Sequence, residues 1–443
     1  MPGERSRRRD PARSGVARHG RLPRSGPFRF AALLVGVALA VSLVSVGGVA
    51  AFAGISLKTQ IKSVSIGAKD DRIAESTSIG AIEGGANILL VGSDTRVGQT
   101  DVAAGVADGS RNDVTILIHL SADHTQMTAV SFPRDLMVDL PSCTGTNGAT
   151  FPAADYQQFN TSLGEGLGCT VATVESMTGL TIPYAAEITF DGVIEMSNAI
   201  GGVDVCVARP IDDSDSGLVL SAGTHTLQGL QALEFLRTRH GVGDGSDLAR
   251  ISSQQVFLSA MMRKIVSSGT LGNPVKLYGL ASAAVKNMTL SKSLGDTDTM
   301  VELGLALKGI DLSKVLFVQY PTATDPENSN RVVADESSAT ILNADLKSDT
   351  KFTLGANSTG RASAAEGSSG TASSGTTSSG TTSSGTAGGT ASGSAGSGTA
   401  ATSSPTATPS SSATSSPAAT SSTLPSTITG QAASEATCSV GNG

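Results

Sequence analysis

A stretch with no charged residue, from Phe30 to Leu57, most constrains what the rest of the chain can fold into. At 1.5 Å of rise per residue, a helix of this length crosses a bilayer core of roughly 30 Å with some tilt. Residues 1–29 carry nine arginines and only two acidic residues. By the positive-inside rule, we expect a basic cytoplasmic segment at 1–29, a transmembrane anchor at 30–57 and the remainder outside the cell.

The alternative for the same stretch is a cleaved signal peptide, because Ala51-Phe52-Ala53 resembles a small-x-small cleavage site. The apolar run is longer than a usual signal-peptide core, which favours an uncleaved single-pass anchor in the cell membrane. The net charge of the whole chain is −7, so the body after the basic segment is acidic. A basic head on an acidic body gives no indication of nucleic-acid binding.

The other end of the chain is poor in side chains that could build a core. Beyond about Asn357 it consists mainly of Ser, Thr, Gly, Ala and Pro, and no charged residue occurs between Glu366 and Glu435. Such a composition cannot offset the entropy lost on ordering. We therefore expect a disordered, low-complexity tail at 355–443, a linker at 58–85 and an extracytoplasmic domain at 86–354.

Strand-like and helix-like segments alternate within that domain, which predicts an α/β fold. Two apolar runs separated by a polar turn, Val114–Ile118 and Met127–Phe132, are expected to pair as a hairpin. The other predicted elements are helices at Thr170–Met177 and Phe190–Ile200, each ending at glycine, and strands at Asn87–Gly92, Val203–Val207 and Ser313–Tyr320.

A cluster of arginines lies around a Gly-rich turn at 241–245. Arg237 and Arg239 precede the turn, and a helix expected to begin at about Ser246 carries Arg250. Three guanidinium groups around one turn favour a phosphate site, because planar guanidinium groups suit phosphate oxygens. Separate surface ion pairs are the alternative.

The predicted helix after the turn has two faces. One face carries Asp247, Arg250 and Gln254, and the other is expected to be buried. The residues of the expected buried face are Leu248, Ile251, Leu258, Met262 and Ile265.

Three more charged pairs occur at the ends of predicted strands, where open α/β sheets bind ligands. They are Asp94 with Arg96, Arg111 with Asp113, and Arg134 with Asp135. Asp94 and Asp113 together could hold Mg²⁺, which takes one or two carboxylates plus phosphate oxygens. The alternative, that Asp94 pairs with Arg96 and Asp113 with Arg111, is equally compatible with the spacing.

The four cysteines all follow the apolar stretch, on the side where disulfides persist. The absence of C-x-x-C spacing argues against metal binding by these cysteines. Cys143 and Cys169 flank a polar insertion and are expected to pair, which leaves Cys206 for Cys438.

Five motifs in order resemble the LytR-CpsA-Psr family over roughly residues 86–350. They are G-S-D-T-R from Gly92, R-N-D from Arg111, S-F-P-R-D from Ser131, R-T-R-H from Arg237 and D-L-A-R-I-S-S-Q-Q from Asp247. The resemblance implies an α/β/α sandwich with a mixed central sheet. It also implies a phosphotransferase that moves a glycopolymer from a polyprenyl-diphosphate lipid to peptidoglycan and releases polyprenyl phosphate.

Residue roles carried over from the family fall on the same positions. The resemblance implies that Asp94 and Asp113 bind Mg²⁺ and that Arg111 accompanies them as catalytic residues. The residues implied to bind the diphosphate are Arg134, Arg237, Arg239, Arg250 and Gln254. The polyprenyl chain is implied to lie in an apolar tunnel whose lining the sequence does not identify.

Two features depart from the family pattern. The loop between Asp94 and Arg111 is long, and the tail is not the folded extra domain that some relatives carry.

Two other functions are alternatives. A non-catalytic protein that tethers a wall polymer would explain the anchor and the tail equally well. A polyprenyl-diphosphate hydrolase, with water in place of the sugar hydroxyl, would use the same residues.

Overall fold

The computed structural model describes residues 59–67, 84–95, 110–145, 148–266, 273–307, 309–356, 358–367 and 421–442. The predicted cytoplasmic segment, the predicted anchor and most of the long loop that contains Arg96 lie outside these residues. Within the described ranges, no helix has both the length and the apolar character needed to cross a membrane.

The described residues form short strands and seven α-helices. The strands are β1 Lys62–Val64, β2 Ala86–Ser93, β3 Asn112–Leu120, β4 Met127–Phe132, β5 Met137–Leu140, β6 Cys143–Thr144, β7 Thr150–Phe151, β8 Ala154–Gln158, β9 Tyr184–Ile188, β10 Val203–Arg209, β11 Ile211–Asp213, β12 Leu218–Leu220, β13 Gly223–Leu227, β14 Met288–Ser291, β15 Val315–Gln319, β16 Thr322–Thr324, β17 Val332–Ala334, β18 Phe352–Thr353, β19 Ser363–Ala365, β20 Ser422–Thr423, β21 Gly430–Ala432 and β22 Thr437–Val440. The helices are α1 Leu167–Thr178, α2 Phe190–Ala199, α3 Leu230–Arg237, α4 Asp247–Val266, α5 Pro274–Asn287, α6 Thr297–Leu307 and α7 Glu336–Lys347. Two 3₁₀ helices occupy Phe159–Glu165 and Leu312–Lys314.

Eight strands form the central sheet in the order β1-β14-β9-β2-β3-β4-β15-β21. The pairs β1–β14, β2–β9 and β4–β15 are parallel, and the other four are antiparallel. The sheet is therefore mixed, as predicted. The predicted hairpin is confirmed as β3 and β4, with Thr115 opposite Phe132.

Both faces of the central sheet are covered, which explains the near-continuous apolar runs of its inner strands. Leu89, Val91 and Leu117 belong to one cluster, together with buried residues of α1 and α7. Ile116, next to Leu117 and therefore on the opposite face, belongs to a second cluster against which Leu258 of α4 packs. The result is helices on both sides of a sheet.

One predicted helix ends, and the other begins, at a residue that is typical of that helix boundary. Helix α1 ends before Gly179, whose φ of 68° is left-handed and favours glycine. Helix α2 begins after Thr189, whose side chain accepts a hydrogen bond from the backbone N–H of Gly192. Both helices agree with the sequence prediction to within a few residues.

The prediction of a disordered tail at 355–443 is wrong for residues 358–367 and 421–442. Strand β22 pairs in parallel with β10 and antiparallel with β19, which completes a four-stranded sheet in the order β13-β10-β22-β19. Strand β21 forms one edge of the central sheet against β15. Residues 368–420 lie outside the described ranges.

The small side chains of this C-terminal segment allow it to pack close to other backbone. A Cβ on Gly441 would overlap the carbonyl oxygen of Pro210, and one on Gly430 would overlap that of Phe317. All four residues of β22 are buried. Hydrogen bonds along the strands, rather than large side chains, therefore attach much of the segment to the domain.

The predicted linker at 58–85 also contributes to the fold. Strand β1 pairs in parallel with β14 at the other edge of the central sheet. Val64 and Ile66 pack against the cluster that covers the α1 side of the sheet. The folded domain therefore begins before residue 86.

Both predicted disulfides are present. Cys143 is bonded to Cys169, and Cys206 on β10 is bonded to Cys438 on β22. The second disulfide connects the C-terminal segment to the middle of the domain across 232 residues of sequence.

Because the C-terminal segment is part of the core, ending the chain after residue 420 should prevent stable folding. The truncation removes Leu424 and Ile428, which are 2% and 0% exposed. Loss of each buried aliphatic side chain costs about 2–5 kcal/mol, against a total stability of about 5–15 kcal/mol. An equal-length deletion within the uncharged segment, 380–402, should leave the melting temperature unchanged. Thermal unfolding of both variants tests this, and a truncated chain that melts like the full chain would contradict the assignment.

Candidate active site

The predicted charged residues meet at one edge of the central sheet. Because β2, β3 and β4 are antiparallel neighbours, the end of β2, the start of β3 and the end of β4 lie side by side. Asp94 follows β2, Asp113 lies near the start of β3, and Arg134 follows β4. Helix α4 begins at the same edge and brings Arg250 there.

Ion pairs between buried or half-buried groups hold this edge together. Arg134 Nη1 lies 2.7 Å from Asp113 Oδ1, and Arg250 Nη2 lies 2.5 Å from Asp247 Oδ1. Arg250 Nη2 also donates to the backbone carbonyl of Asp113 at 2.8 Å. The backbone N–H of Arg134 donates to Asp247 Oδ2 at 3.0 Å. These contacts tie β3, β4 and α4 to one another.

The charge balance at Arg134 favours its protonated form. Burial alone would lower the pKa of Arg134, but the carboxylates of Asp113, Asp247 and Asp135 outweigh burial and raise that pKa. Arg331 makes an additional ion pair with Asp135 at 3.1 Å. Arg134 therefore retains its positive charge although much of its surface is removed from water.

Two guanidinium donors in the cluster remain unused. The Nε atoms of Arg134 and Arg250 are buried and have no hydrogen-bond acceptor among the residues that the structure describes. Buried donors without an acceptor are costly and rare in folded proteins. An anionic ligand with oxygens at this position would satisfy them.

Arg237, the last residue of α3, and Arg239, in the loop that follows, approach the cluster together. The guanidinium carbon of Arg237 lies 4.7 Å from the ring centroid of Phe190, a cation–π contact. Arg239 Nε donates to the carbonyl of Gly245 at 3.3 Å, and its Nη2 lies 3.9 Å from Asp135 Oδ2. The two side chains are thus held by different partners although they are two residues apart.

Asp213 fixes the loop that carries Arg239, and the sequence pattern did not identify it. Its Oδ2 accepts hydrogen bonds from Thr238 Oγ1 at 2.7 Å, from the Arg239 N–H at 2.9 Å and from the Gly241 N–H at 3.2 Å. Burial opposes ionisation, but the hydrogen bonds lower the pKa of Asp213 to about 2. A Cβ on Gly241 would come within 2.8 Å of the Asp213 Cβ, so this close approach requires glycine.

Asp94, directly after β2, lies next to Arg111, directly before β3. Asp94 Oδ1 accepts a hydrogen bond from the backbone N–H of Arg111 at 2.8 Å. The Arg111 side chain is exposed. Asp113 pairs with Arg134, and the predicted alternative of an Asp113–Arg111 pair is not recorded among the described contacts. Arg96, the alternative partner of Asp94, lies outside the described residues.

The donor set at Asp94 and Asp113 fits Mg²⁺. Both groups are carboxylates at one sheet edge, Asp94 directly after β2 and Asp113 on the neighbouring β3, beside the arginine cluster. Mg²⁺ prefers such hard oxygen ligands and takes its remaining ligands from water and phosphate. The predicted metal role of the two aspartates therefore remains a prediction that the local chemistry allows.

A polar cavity of about 160 Å³ collects most of the predicted diphosphate-binding residues. Its lining consists of Asp113, Arg134, Asp213, Asp215, Ser216, Arg237, Arg239, His240 and Arg250. Gln254 does not line it. The Gln254 side chain instead donates to the carbonyl of Leu236 at 2.8 Å, which fastens the end of α3 to α4.

A second, apolar cavity of about 150 Å³ adjoins the first. It lies between strands β2, β3 and β9 of the central sheet and helices α2, α3 and α4. Its apolar lining residues are Leu90, Val114, Ile116, Ile188, Phe190, Val193, Met196, Leu233, Leu236, Phe257, Leu258 and Met261. Asp113, Arg237 and Arg250 line both cavities.

Helix α4 is buried on more sides than its pattern predicted. Asp247, Arg250 and Gln254, expected on a polar face, are each about 95% buried. Leu258, expected in a packed face, is only partly buried and lines the apolar cavity. Leu258 therefore faces the cavity instead of being fully packed, which the helical pattern of the sequence alone does not indicate.

Comparison with known proteins places the chain in a family. The sequence model of the LytR_cpsA_psr family matches residues 54–348, which is more than half of the chain, so the protein belongs to this family. The resemblance found in the five motifs is thereby confirmed.

Three similar proteins illustrate the relationship. The cell wall biosynthesis protein LcpA of Corynebacterium glutamicum is 32% identical over 238 residues, which cover 48% of this chain and 46% of LcpA. The probable cell wall biosynthesis protein LcpB of the same organism is 31% identical over 271 residues, covering 59% of this chain and 61% of LcpB. The polyisoprenyl-teichoic acid–peptidoglycan teichoic acid transferase TagT of Bacillus subtilis is 25% identical over 294 residues, covering 64% of this chain and 85% of TagT. The matches thus span about half of LcpA and three fifths of LcpB.

Proposed function

We propose that this protein is a phosphotransferase that attaches a cell-wall glycopolymer to peptidoglycan. The donor is a glycan on a polyprenyl diphosphate, the product is a phosphodiester to a sugar hydroxyl of peptidoglycan, and polyprenyl phosphate is released. The anchor predicted at 30–57 would hold the domain at the membrane, where such a lipid donor resides.

The observation that carries this proposal is the junction of the two cavities. An apolar cavity lined by aliphatic and aromatic side chains lies beside a polar one lined by four arginines, and Asp113, Arg237 and Arg250 line both. A ligand that fits both must have an apolar chain joined directly to an anionic group. A polyprenyl diphosphate has that chemistry.

The unused donors support a phosphate ligand in particular. The Nη atoms of Arg134 and Arg250 already lie 2.7 Å from Asp113 and 2.5 Å from Asp247, while their buried Nε atoms have no hydrogen-bond acceptor among the described residues. Charge-assisted hydrogen bonds to phosphate are stronger than neutral ones. Binding of a diphosphate would replace two unsatisfied donors with two such bonds.

The names of the relatives agree with this chemistry. TagT is named as a transferase of teichoic acid from a polyisoprenyl-linked form to peptidoglycan, and LcpA as a cell wall biosynthesis protein. These names support the reaction class for the present protein, and they do not identify its glycopolymer.

The residues at the junction would stabilise charge that develops during transfer. The acceptor oxygen attacks the phosphorus atom that bears the glycan, and the bridging P–O bond to polyprenyl phosphate breaks. Negative charge then grows on the leaving phosphate, where Arg237 and Arg250 line the boundary of the two cavities. Donors fixed in advance at this position stabilise the transition state more than the bound donor.

Asp94 and Asp113 would hold Mg²⁺ in this proposal. Bound there, the ion would neutralise part of the charge on the diphosphate oxygens. Asp113 has a second function, because it pairs with Arg134 at 2.7 Å. Loss of Asp113 should therefore affect both the metal and the arginine cluster.

Removal of the metal should abolish transfer. Chelation with EDTA is expected to stop release of polyprenyl phosphate, and added Mg²⁺ should restore it. Asp94→Ala should lose the response to Mg²⁺ while its melting temperature in the absence of metal stays near that of the wild type. Full activity of Asp94→Ala in EDTA would contradict the metal role and favour a purely ionic role for the aspartates.

Arg237→Lys should strongly reduce transfer although the positive charge is kept. A lysine ammonium group cannot make the two-pronged contact with phosphate oxygens. It also lacks the planar guanidinium group that contacts the ring of Phe190 in the wild-type protein. Losing one such contact typically costs about 2.7–4 kcal/mol in the transition state, roughly a hundred- to a thousand-fold in rate. The measurement is release of polyprenyl phosphate from a lipid-linked glycan, with and without peptidoglycan.

The matched control is Arg361→Lys, which changes an exposed arginine paired with Asp244 and should leave the rate unchanged. Wild-type protein should yield glycan bound covalently to peptidoglycan through a phosphodiester. Equal release without acceptor, and no linked product with it, would identify a hydrolase. Donor binding without release in either reaction would identify the tethering protein.

A further inference from the structure

One pair of side chains on the wall of the polar cavity has no part in binding the diphosphate. His240 Nδ1 lies 2.7 Å from Asp215 Oδ2, and both side chains are largely exposed, at 61% and 72%. His240 directly follows Arg239, and Asp215 lies in the turn after β11. Both residues line the same cavity as the arginines.

The backbone that presents His240 is fixed from two directions. On one side, Asp213 accepts hydrogen bonds from the N–H groups of Arg239 and Gly241, the residues that flank His240. On the other side, the Asn442 side-chain amide donates to the His240 carbonyl, and the Asn442 N–H donates to the Gly241 carbonyl at 3.1 Å. The imidazole is therefore exposed on a restrained backbone, as a group that meets an incoming molecule would be.

A metal site formed by Asp213, Asp215 and His240 is the alternative use, because one ligand atom from each lies within 4.8 Å of the others. The carboxylate of Asp213 is already occupied. Its Oδ2 accepts three hydrogen bonds, and its Oδ1 accepts two more from the backbone N–H groups of Asp215 and Ser216. Only Asp215 and His240 remain as ligands, which is too few for a closed metal site.

The position of His240 relative to the two cavities indicates which substrate it meets. Asp113, Arg237 and Arg250 line both cavities, whereas His240 and Asp215 line only the polar one. In an in-line displacement, the attacking and leaving oxygens lie on opposite sides of phosphorus. If the lipid leaves from the apolar side, the acceptor hydroxyl approaches from the polar side, where His240 lies.

We propose that His240 is the general base for the acceptor hydroxyl and that Asp215 is its positioning residue. This inference rests on the proposed phosphotransferase function. An Nδ1–H donated to Asp215 leaves Nε2 with a lone pair that can accept a proton. Nε2 takes the proton of the sugar hydroxyl as the new O–P bond forms. The electron pair of the breaking P–O bond leaves with polyprenyl phosphate, and the imidazolium later returns its proton to solvent.

The test compares purified full-length variants in the transfer assay, with Mg²⁺, lipid-linked glycan and peptidoglycan. His240→Gln should lower kcat by about 10²- to 10⁴-fold, the usual contribution of a general base, with little change in the KM for the donor. Asp215→Asn should lower kcat only about two- to fivefold, because solvent screens an exposed pair. The matched control is His225→Gln on β13, whose ring contacts the Ser221 carbonyl and does not line the cavity, and it should be unchanged.

Chemical rescue separates a proton-transfer role from a structural one. His240→Ala leaves space beside Asp215, and added imidazole should restore transfer by this variant in proportion to its concentration. Imidazole should not rescue Arg237→Lys, in which the base is intact.

Three outcomes overturn the inference. Transfer by His240→Gln at the wild-type rate would exclude a general base at this position while leaving the proposed function in place. A raised donor KM with unchanged kcat, and no rescue by imidazole, would make His240 a binding residue only. Absence of linked product with the wild-type protein would instead refute the proposed function on which the inference rests.

Discussion

The site depends on the pairing of buried arginines with carboxylates. Arg134 with Asp113, and Arg250 with Asp247, join two strands of the central sheet to helix α4. Several guanidinium groups cannot share one edge of a sheet unless anions separate them. Breaking a buried pair such as Arg250 with Asp247 typically costs about 3–5 kcal/mol, because the partner stays buried and unpaired. The same pairs leave Nε donors unsatisfied, so the arrangement that stabilises the fold also leaves the site ready to bind an anion.

Distant parts of the chain hold this arrangement in place. Asp213 fixes the loop that carries Arg239 through three hydrogen bonds to its Oδ2, and the C-terminal segment supports the other side of that loop. The Gly243 N–H donates to the carbonyl of Val440 at 2.9 Å. Val440 lies two residues after Cys438, which is disulfide-bonded to Cys206. A segment whose composition resembles a spacer thus contributes to the geometry of the arginine loop.

Much of the central sheet could be predicted because its signals are local. The β3–β4 hairpin follows from two apolar runs and a short turn, and helix α1 ends where Gly179 predicts. The arginines could be predicted because motif order and residue type indicate their chemistry.

The packing of residues 421–442 against the domain could not be predicted in this way, because Leu424 and Ile428 are isolated among small residues. Pairing between β10 and β22 joins positions more than 200 residues apart, and nothing in the local pattern indicates it. Asp213 was missed for a related reason, since its partners are the Thr238 hydroxyl and four backbone N–H groups that only the folded loops bring together.

The most direct measurement is a crystal structure of the protein with a polyprenyl-diphosphate-linked glycan. If one ligand fills both cavities, the diphosphate should lie within hydrogen-bond distance of the Nε atoms of Arg134 and Arg250. Its prenyl chain should then run along Leu233 and Phe257 between the helices. A diphosphate bound away from these arginines, or a prenyl chain on another face with the apolar cavity unfilled, would contradict the account.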